Sequence, residues 1–311
     1  MECEQLFAII EKLNGKYLDI LEDVCNIESP TDYKKGVDEV GKYFVDMAEK
    51  FGFETEILKQ NVSGNVVCIT LNPDSEKAPV TLSAHMDTVH PLGSFGTPAV
   101  KRDNDKMYGP GVMDCKGGAV AAFMAMDALK KCGYKERPVM LILQSDEENS
   151  SKTSGKATIE YMCEKSKDSV AFLNLEGIQG NTAVLQRKGI LRYLFTVHGK
   201  ALHSSRCFDA ASAVCEAAYK IIELEKMKDA EEVTCNCVIK EGGTTANTVA
   251  EKCCFYADIR FSTADELENV KIKVKEIADN ITVKGCSCET EEISFCPAMV
   301  LADKNVELLK K

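Results

Sequence analysis

The chain has 311 residues, 45% hydrophobic and 28% charged, with a formal net charge of −11. That length supports a large core and two domains, and the composition excludes a fibrous or disordered chain. No concentrated basic run offers a duplex-binding surface, and no apolar run approaches the roughly 18 residues that a membrane span needs.

Residues 35–51 carry apolar side chains at helical spacing, Val37, Val40, Phe44 and Met47, with Gly52 placed to end the helix. Short apolar runs at 65–71, 80–84, 139–143 and 170–175 read as buried strands. An alanine-rich stretch from Gly118 to Lys131 reads as a helix closed by Gly133. Strands alternating with helices imply an α/β domain with a mostly parallel sheet and helices on both faces.

From Gln186 the pattern changes. A strand over 190–197, a helix over 210–227, strands over 233–240 and 248–261, a helix over 264–278 and a strand over 287–293 give the order β-α-β-β-α-β, a ferredoxin-like split βαβ sandwich. Residues 186–296 are therefore expected to form an inserted second domain. Residues 1–185 and 297–311 would form the first, with the chain ending inside an amphipathic helix.

The start, Met1-Glu2-Cys3-Glu4-Gln5, lacks the basic and apolar segments of an export signal, so a cytoplasmic location is expected. Most of the fifteen cysteines lie in apolar patterns and read as reduced, small core residues. The pairs Cys235/Cys237 and Cys286/Cys288 lack the C-x-x-C spacing of structural zinc sites.

In α/β sheets, ligands bind beyond the carboxyl ends of the strands. Four such places carry metal-competent groups. The 80–84 strand leads into His85-Met86-Asp87-Thr88, and the 139–143 strand into Asp146-Glu147-Glu148. The 170–175 strand ends in Glu176, and Asp114 stands in a glycine-rich run, 109–118, just before a helix. Singly, each is an ordinary polar residue. Together, one imidazole and several carboxylates suit zinc, or cobalt or manganese. Two metals bridged by one carboxylate would give a water nucleophile and a clamp for the substrate oxygen.

The runs 83–89 and 109–118 and the triplet Asp146-Glu147-Glu148 resemble the co-catalytic zinc metallopeptidases, the family of acetylornithine deacetylase, succinyl-diaminopimelate desuccinylase, aminoacylase-1 and glutamate carboxypeptidase. The resemblance continues through Gly199-Lys200-Ala201-Leu202-His203-Ser204, the run 242–249 and Asp258-Ile259-Arg260. It implies two zinc ions per chain, with cobalt or manganese as substitutes. His85, Asp114 and Glu176 would bind one metal, and Asp114 would bridge to a second held also by Glu148. Glu147 would be the general base, and Asp87 would fix the His85 tautomer through its far ring nitrogen. His203 would reach across a homodimer, formed through 186–296, to stabilise the oxyanion in the partner's site. Asn247 and Arg260 would hold the carboxylate end of an N-acyl amino acid or small-peptide substrate. Arg260 also has a simpler reading as a strand-surface ion pair, and His203 as a plain loop residue. His90 and His198 fall on no functional position.

The family takes its last metal ligand from a histidine beyond the second domain. Here the four histidines are His85, His90, His198 and His203. The expectation is an amide-bond hydrolase shortened at its C-terminus. The alternative is a weakly active or inactive binding and dimerisation protein with at most one metal.

Overall fold

The computed structural model describes residues 3–177, 182–229 and 232–310. The chain divides into two compact units, Met1–Asn181 and Thr182–Lys311.

The first unit opens with α1 (Cys3–Asn26) and α2 (Lys34–Lys50), followed by strands β1 (Glu54–Leu58), β2 (Val66–Leu71) and β3 (Val80–His85). A small hairpin, β4 (Lys101–Asp103) and β5 (Lys106–Tyr108), precedes α3 (Lys116–Lys131), β6 (Val139–Gln144), α4 (Ala157–Ser166) and β7 (Ala171–Asn174). The helix ends follow from glycine. Gly52 and Gly133 take positive φ, and the next residues return hydrogen bonds into the last turn: Phe53 N–H to Ala48 O at 2.9 Å and Tyr134 N–H to Leu129 O at 3.0 Å. This closure satisfies carbonyls that would otherwise lack donors.

The main sheet has the order β1-β2-β6-β3-β7. Ladders β3–β6 and β3–β7 are parallel, whereas β1–β2 and β2–β6 are antiparallel, so the sheet is mixed rather than mostly parallel. The apolar run of β2 is buried on both faces, and such a run carries no mark of direction. Helices cover both faces, as expected. Val67, Ile69, Leu82, Leu141 and Leu143 face α1, α2 and α3 in a core centred on Phe44 and Phe123, while Val66, Cys68 and Ile142 face Met162 of α4. Phe123 lies 5.4 to 6.4 Å, centroid to centroid, from Phe53, Phe51 and Phe44.

The second unit contains β8 (Gly189–His198), a 3₁₀ turn (Ser204–Asp209), α5 (Ala213–Glu225), β9 (Thr234–Gly242), β10 (Lys252–Phe261), α6 (Ala264–Asp279), β11 (Ser287–Cys296) and α7 (Asp303–Leu309). Its sheet runs β11-β8-β10-β9 with every ladder antiparallel. The β-α-β-β-α-β order read from sequence therefore closes into the split βαβ sandwich. Ser212 and Thr263 cap α5 and α6 by accepting the N–H groups of Cys215 and Glu266, each at 3.2 Å. Phe195 and Phe255, opposite each other across β8 and β10, stack at 4.7 Å in the core. A fully buried ion pair, Glu216–Lys220 at 2.9 Å, staples α5 to the end of α6. Lys220 donates to Ile277 O and Asn280 O, both at 2.8 Å, and Glu216 accepts the N–H of Val283 at 2.6 Å.

Residues 297–311 cluster with this second unit instead of rejoining the first. The physical tie is a pair of 2.9 Å backbone hydrogen bonds exchanged by Met299 and Arg187. The cysteines from Cys25 to Cys296 are free, and no described helix is long and apolar enough to cross a membrane.

Candidate metal centre

Three backbone features of the first unit converge on one place. Strand β3 ends at His85, 2% exposed, whose Nδ1 faces the backbone oxygen of Asp87 at 3.0 Å. A carbonyl only accepts, so Nδ1 carries the proton and Nε2 is the nitrogen offered to the site. The expected contact with the Asp87 carboxylate is longer, 3.3 Å, and the main chain makes the closer one.

The glycine-rich run presents Asp114. Gly111 has a φ of +76°, a Cβ at Gly117 would lie 2.2 Å from Val112 O, and one at Gly118 would lie 1.8 Å from Leu175 O. The loop thus packs against the end of β7 where no side chain fits. Cys115 beside Asp114 is buried; its thiol accepts the His85 N–H at 3.3 Å and donates to Leu175 O at 3.8 Å. Asp114 Oδ1 stands 2.9 Å from His85 Nε2.

Strand β6 leads into Glu147 and Glu148. Their backbone N–H groups donate to the two oxygens of the buried Asp87 carboxylate at 3.1 and 3.2 Å, and Thr31 Oγ1 adds a third bond at 2.8 Å. Asp87 therefore stands behind the site and fixes the two glutamates through their main chain. Ligand atoms of His85, Asp114 and Glu148 all lie within 4.8 Å of one another. Glu147 Oε2 is 4.0 Å from His85 Nε2.

The electrostatics are those of an acidic cluster short of positive charge. Burial, together with neighbouring carboxylates, raises Glu147 above the usual carboxylate range and Glu148 to about 7. Burial disfavours a charged His85, but Asp87 and Cys115 outweigh it and push the imidazole up to about 12. Protons are thus held where a cation would serve, and an imidazole with carboxylates is a suitable donor set for a divalent metal.

The other expected residues are placed differently. Glu176 lies outside the three-residue group: it sits past the end of the short strand β7, its carboxylate accepting Asn174 Nδ2–H at 3.0 Å. In the second unit His203 is exposed and caps the 3₁₀ turn, its Nδ1 accepting Ser205 N–H at 3.3 Å. The loop bearing Asn247 pairs beside it, with Ser204 N–H donating to Asn247 O at 2.9 Å. Arg260 is engaged with Asp258, Nε to Oδ1 at 2.7 Å, and Arg192 reaches the same carboxylate from β8. Of its two readings, the structure displays the ion pair. Asn247 lies in the loop that precedes β10, and Arg260 lies near the far end of that strand.

A family model, peptidase family M20/M25/M40, matches residues 81–264, from β3 to the start of α6 and more than half of the chain. The chain belongs to this family. Among curated M20-like relatives, carboxypeptidase G2 of a Pseudomonas species is 23% identical over 83% of this chain and 63% of its own length. A probable succinyl-diaminopimelate desuccinylase of Staphylococcus epidermidis is 28% identical over 60% of this chain and 45% of its own. This chain thus spans less than two thirds of either relative. Aminopeptidase PepT of Bacillus cereus shares the fold at a TM-score of 0.73, with 20% identity over 92% of this chain and 77% of that one. Human carnosine dipeptidase 1 does so at 0.66, with 13% identity over 96% and 81%.

Within the M20 site, sequence reasoning missed the residues that hold the donors. Thr31 lies far upstream, and nothing local marks it. Cys115 stands inside the glycine-rich run next to Asp114, and that adjacency was the available signal.

Proposed function

We propose that this chain is a metal-dependent hydrolase of an amide or peptide bond next to a free carboxylate, acting on N-acyl amino acids or small peptides. The observation that carries the reading is the convergence of His85 Nε2, Asp114 and Glu148 within 4.8 Å, with the Glu147 carboxylate beside them. His85, Asp114 and Glu148 would hold a divalent cation, zinc or, on the same donors, cobalt or manganese, and Glu176 is the carboxylate available to extend the set. The cation supplies Lewis acidity and a water of lowered pKa.

Glu147 takes a proton from the attacking water and returns it to the leaving nitrogen; the pKa raised by burial suits a group that must do both. Asp87 and the Nδ1–H bond of His85 keep the donors oriented. In the second unit His203 would stabilise the oxyanion in a partner's site, and Asn247 and Arg260 would hold the substrate's carboxylate end; the His203 and Asn247 loops are tied by the Ser204 N–H bond to Asn247 O. A homodimer through residues 186–296 is part of this reading. It is supported by the edge strand β9 and by exposed apolar residues of that unit, Tyr219, Ile222, Val238 and Ile239.

The relatives' names, a carboxypeptidase and a desuccinylase, support the bond type. The test is metal content after zinc or cobalt loading, followed by a screen of N-acyl amino acids and dipeptides with wild type and Glu147→Gln. Turnover that disappears in Glu147→Gln while metal content stays constant supports the reading; equal turnover in the two proteins rules it out. Among the described residues one three-donor group is found, which favours a second reading, a binding protein with at most one metal. One metal per chain with no turnover on any substrate would select it.

A further inference from the structure

We propose that Lys116 is a positioning residue, whose ammonium ties the loop bearing Asp114 to the C-terminal end of α1 and so sets where the Asp114 carboxylate stands toward a cation. The inference rests on the metal-centre reading above and deepens it.

Lys116 opens α3, two residues after Asp114, and is 0% exposed. Its Nζ donates to Ile27 O at 2.6 Å and to Val24 O at 3.2 Å. Val24 O, in the last turn of α1, also accepts the Ile27 N–H at 3.3 Å, Ile27 O lies just past the helix, and the dipole at this end favours a cation. An apolar side chain would fill the same volume without the heavy desolvation that an ammonium suffers, so packing alone does not account for a lysine here. Its stem also supports the loop: a Cβ at Gly111 would come within 3.0 Å of Lys116 Cγ and Cδ.

Asp114 itself is weakly held. Its side chain is 58% exposed, and among the described residues its carboxylate makes one hydrogen bond, to His85. Its position is therefore set through the chain on either side. The Cys115 thiol fastens the loop to β3 and to the end of β7. Lys116 fastens it to α1, an element that supplies no donor to the site.

The test compares wild type, Lys116→Met and Tyr17→Phe. Tyr17 provides a separate tie between α1 and α3, a 3.0 Å bond from its hydroxyl to Asp127, away from the site. Each protein is titrated with Co2+, reading Kd and the visible absorption of the bound ion, and is melted without metal. The expected result is a Co2+ affinity at least tenfold weaker, with an altered spectrum, in Lys116→Met. Tyr17→Phe is expected to melt lower yet bind within twofold of wild type. Wild-type affinity and spectrum in Lys116→Met would overturn the inference while leaving the metal centre standing. A wild type that takes up no Co2+ would overturn both. Should Lys116→Met not fold, Lys116→Arg carries the same test, because its longer planar fork does not reproduce the ammonium's two bonds; wild-type values there would also overturn the inference.

Discussion

Asp87 holds Glu148 by its main chain: one carboxylate oxygen accepts the Glu148 N–H at 3.2 Å, while the side chain of Glu148 is left for the site. The other oxygen accepts the Glu147 N–H at 3.1 Å, and His85 Nδ1 stands 3.3 Å away. One buried carboxylate thus registers the histidine against both glutamates. Asp87→Ala should weaken metal binding by about 10- to 100-fold, the usual cost of removing a group that orients ligands. Its melting temperature should also drop, since two part-buried N–H groups lose their acceptor. Wild-type Kd by calorimetric titration would show that the ligands hold themselves.

Removing ligand candidates one at a time separates the group of three from Glu176. Asp114→Ala and Glu148→Ala are expected to lose bound metal on desalting. Glu176→Ala should retain the tightly held ion and at most lose a weaker one. Elemental mass spectrometry on the four proteins decides this, and metal loss in Glu176→Ala equal to that in Asp114→Ala would make Glu176 a full member of the first set.

Metal uptake should release protons. With His85 raised to about 12 and Glu148 to about 7, the metal-free site near neutrality holds a second ring proton on His85, at Nε2, and a partial one on the Glu148 carboxylate. A cation must displace them, so affinity is low at acid pH and climbs as pH rises, by about one to two logarithmic units per pH unit between 6 and 8. Calorimetry in buffers of different ionisation heat counts the protons. An affinity flat across that range would contradict the sign and the coupling.

In the second unit, Glu216→Ala strands the buried ammonium of Lys220 and frees the loop at 282–283. Breaking a buried pair in this way costs about 3–5 kcal/mol. Chemical denaturation of wild type and variant gives the difference, and a change below about 1 kcal/mol would mean that the two carbonyls at Ile277 and Asn280 suffice for Lys220.

Much of this structure was legible in the residues. The helical spacing of Val37, Val40, Phe44 and Met47 marks side chains that are all buried in α2, and the second unit's six elements were readable because alternation and capping residues agree there. The motif residues His85, Asp114 and Glu148 fall together because each ends a strand or opens a helix in one sheet. What stayed hidden depends on contacts distant in sequence. The direction of β2 against β6 is set by pairing, not by its apolar run. Hairpin β4–β5 is carried by a turn at Asn104 with φ of +53° and few apolar residues. The tie of Met299 to Arg187 joins positions more than a hundred residues apart. Helix α1 had a readable stripe, Leu13, Tyr17, Ile20 and Val24, packed into the core. The ion-pair partner of Arg260 was also in view, two residues back on the same face of its strand.

The closeness of Gly118 to Leu175 has a consequence for heredity. A Cβ there would overlap a carbonyl oxygen at 1.8 Å, and the oxygen belongs to backbone that cannot rotate away. Every other amino acid, alanine included, would push α3 off the strand end and part Asp114 from His85. Codon 118 carries no reactive group, yet a lineage that relies on this site is held to glycine there as firmly as it is held to the carboxylate of Glu148.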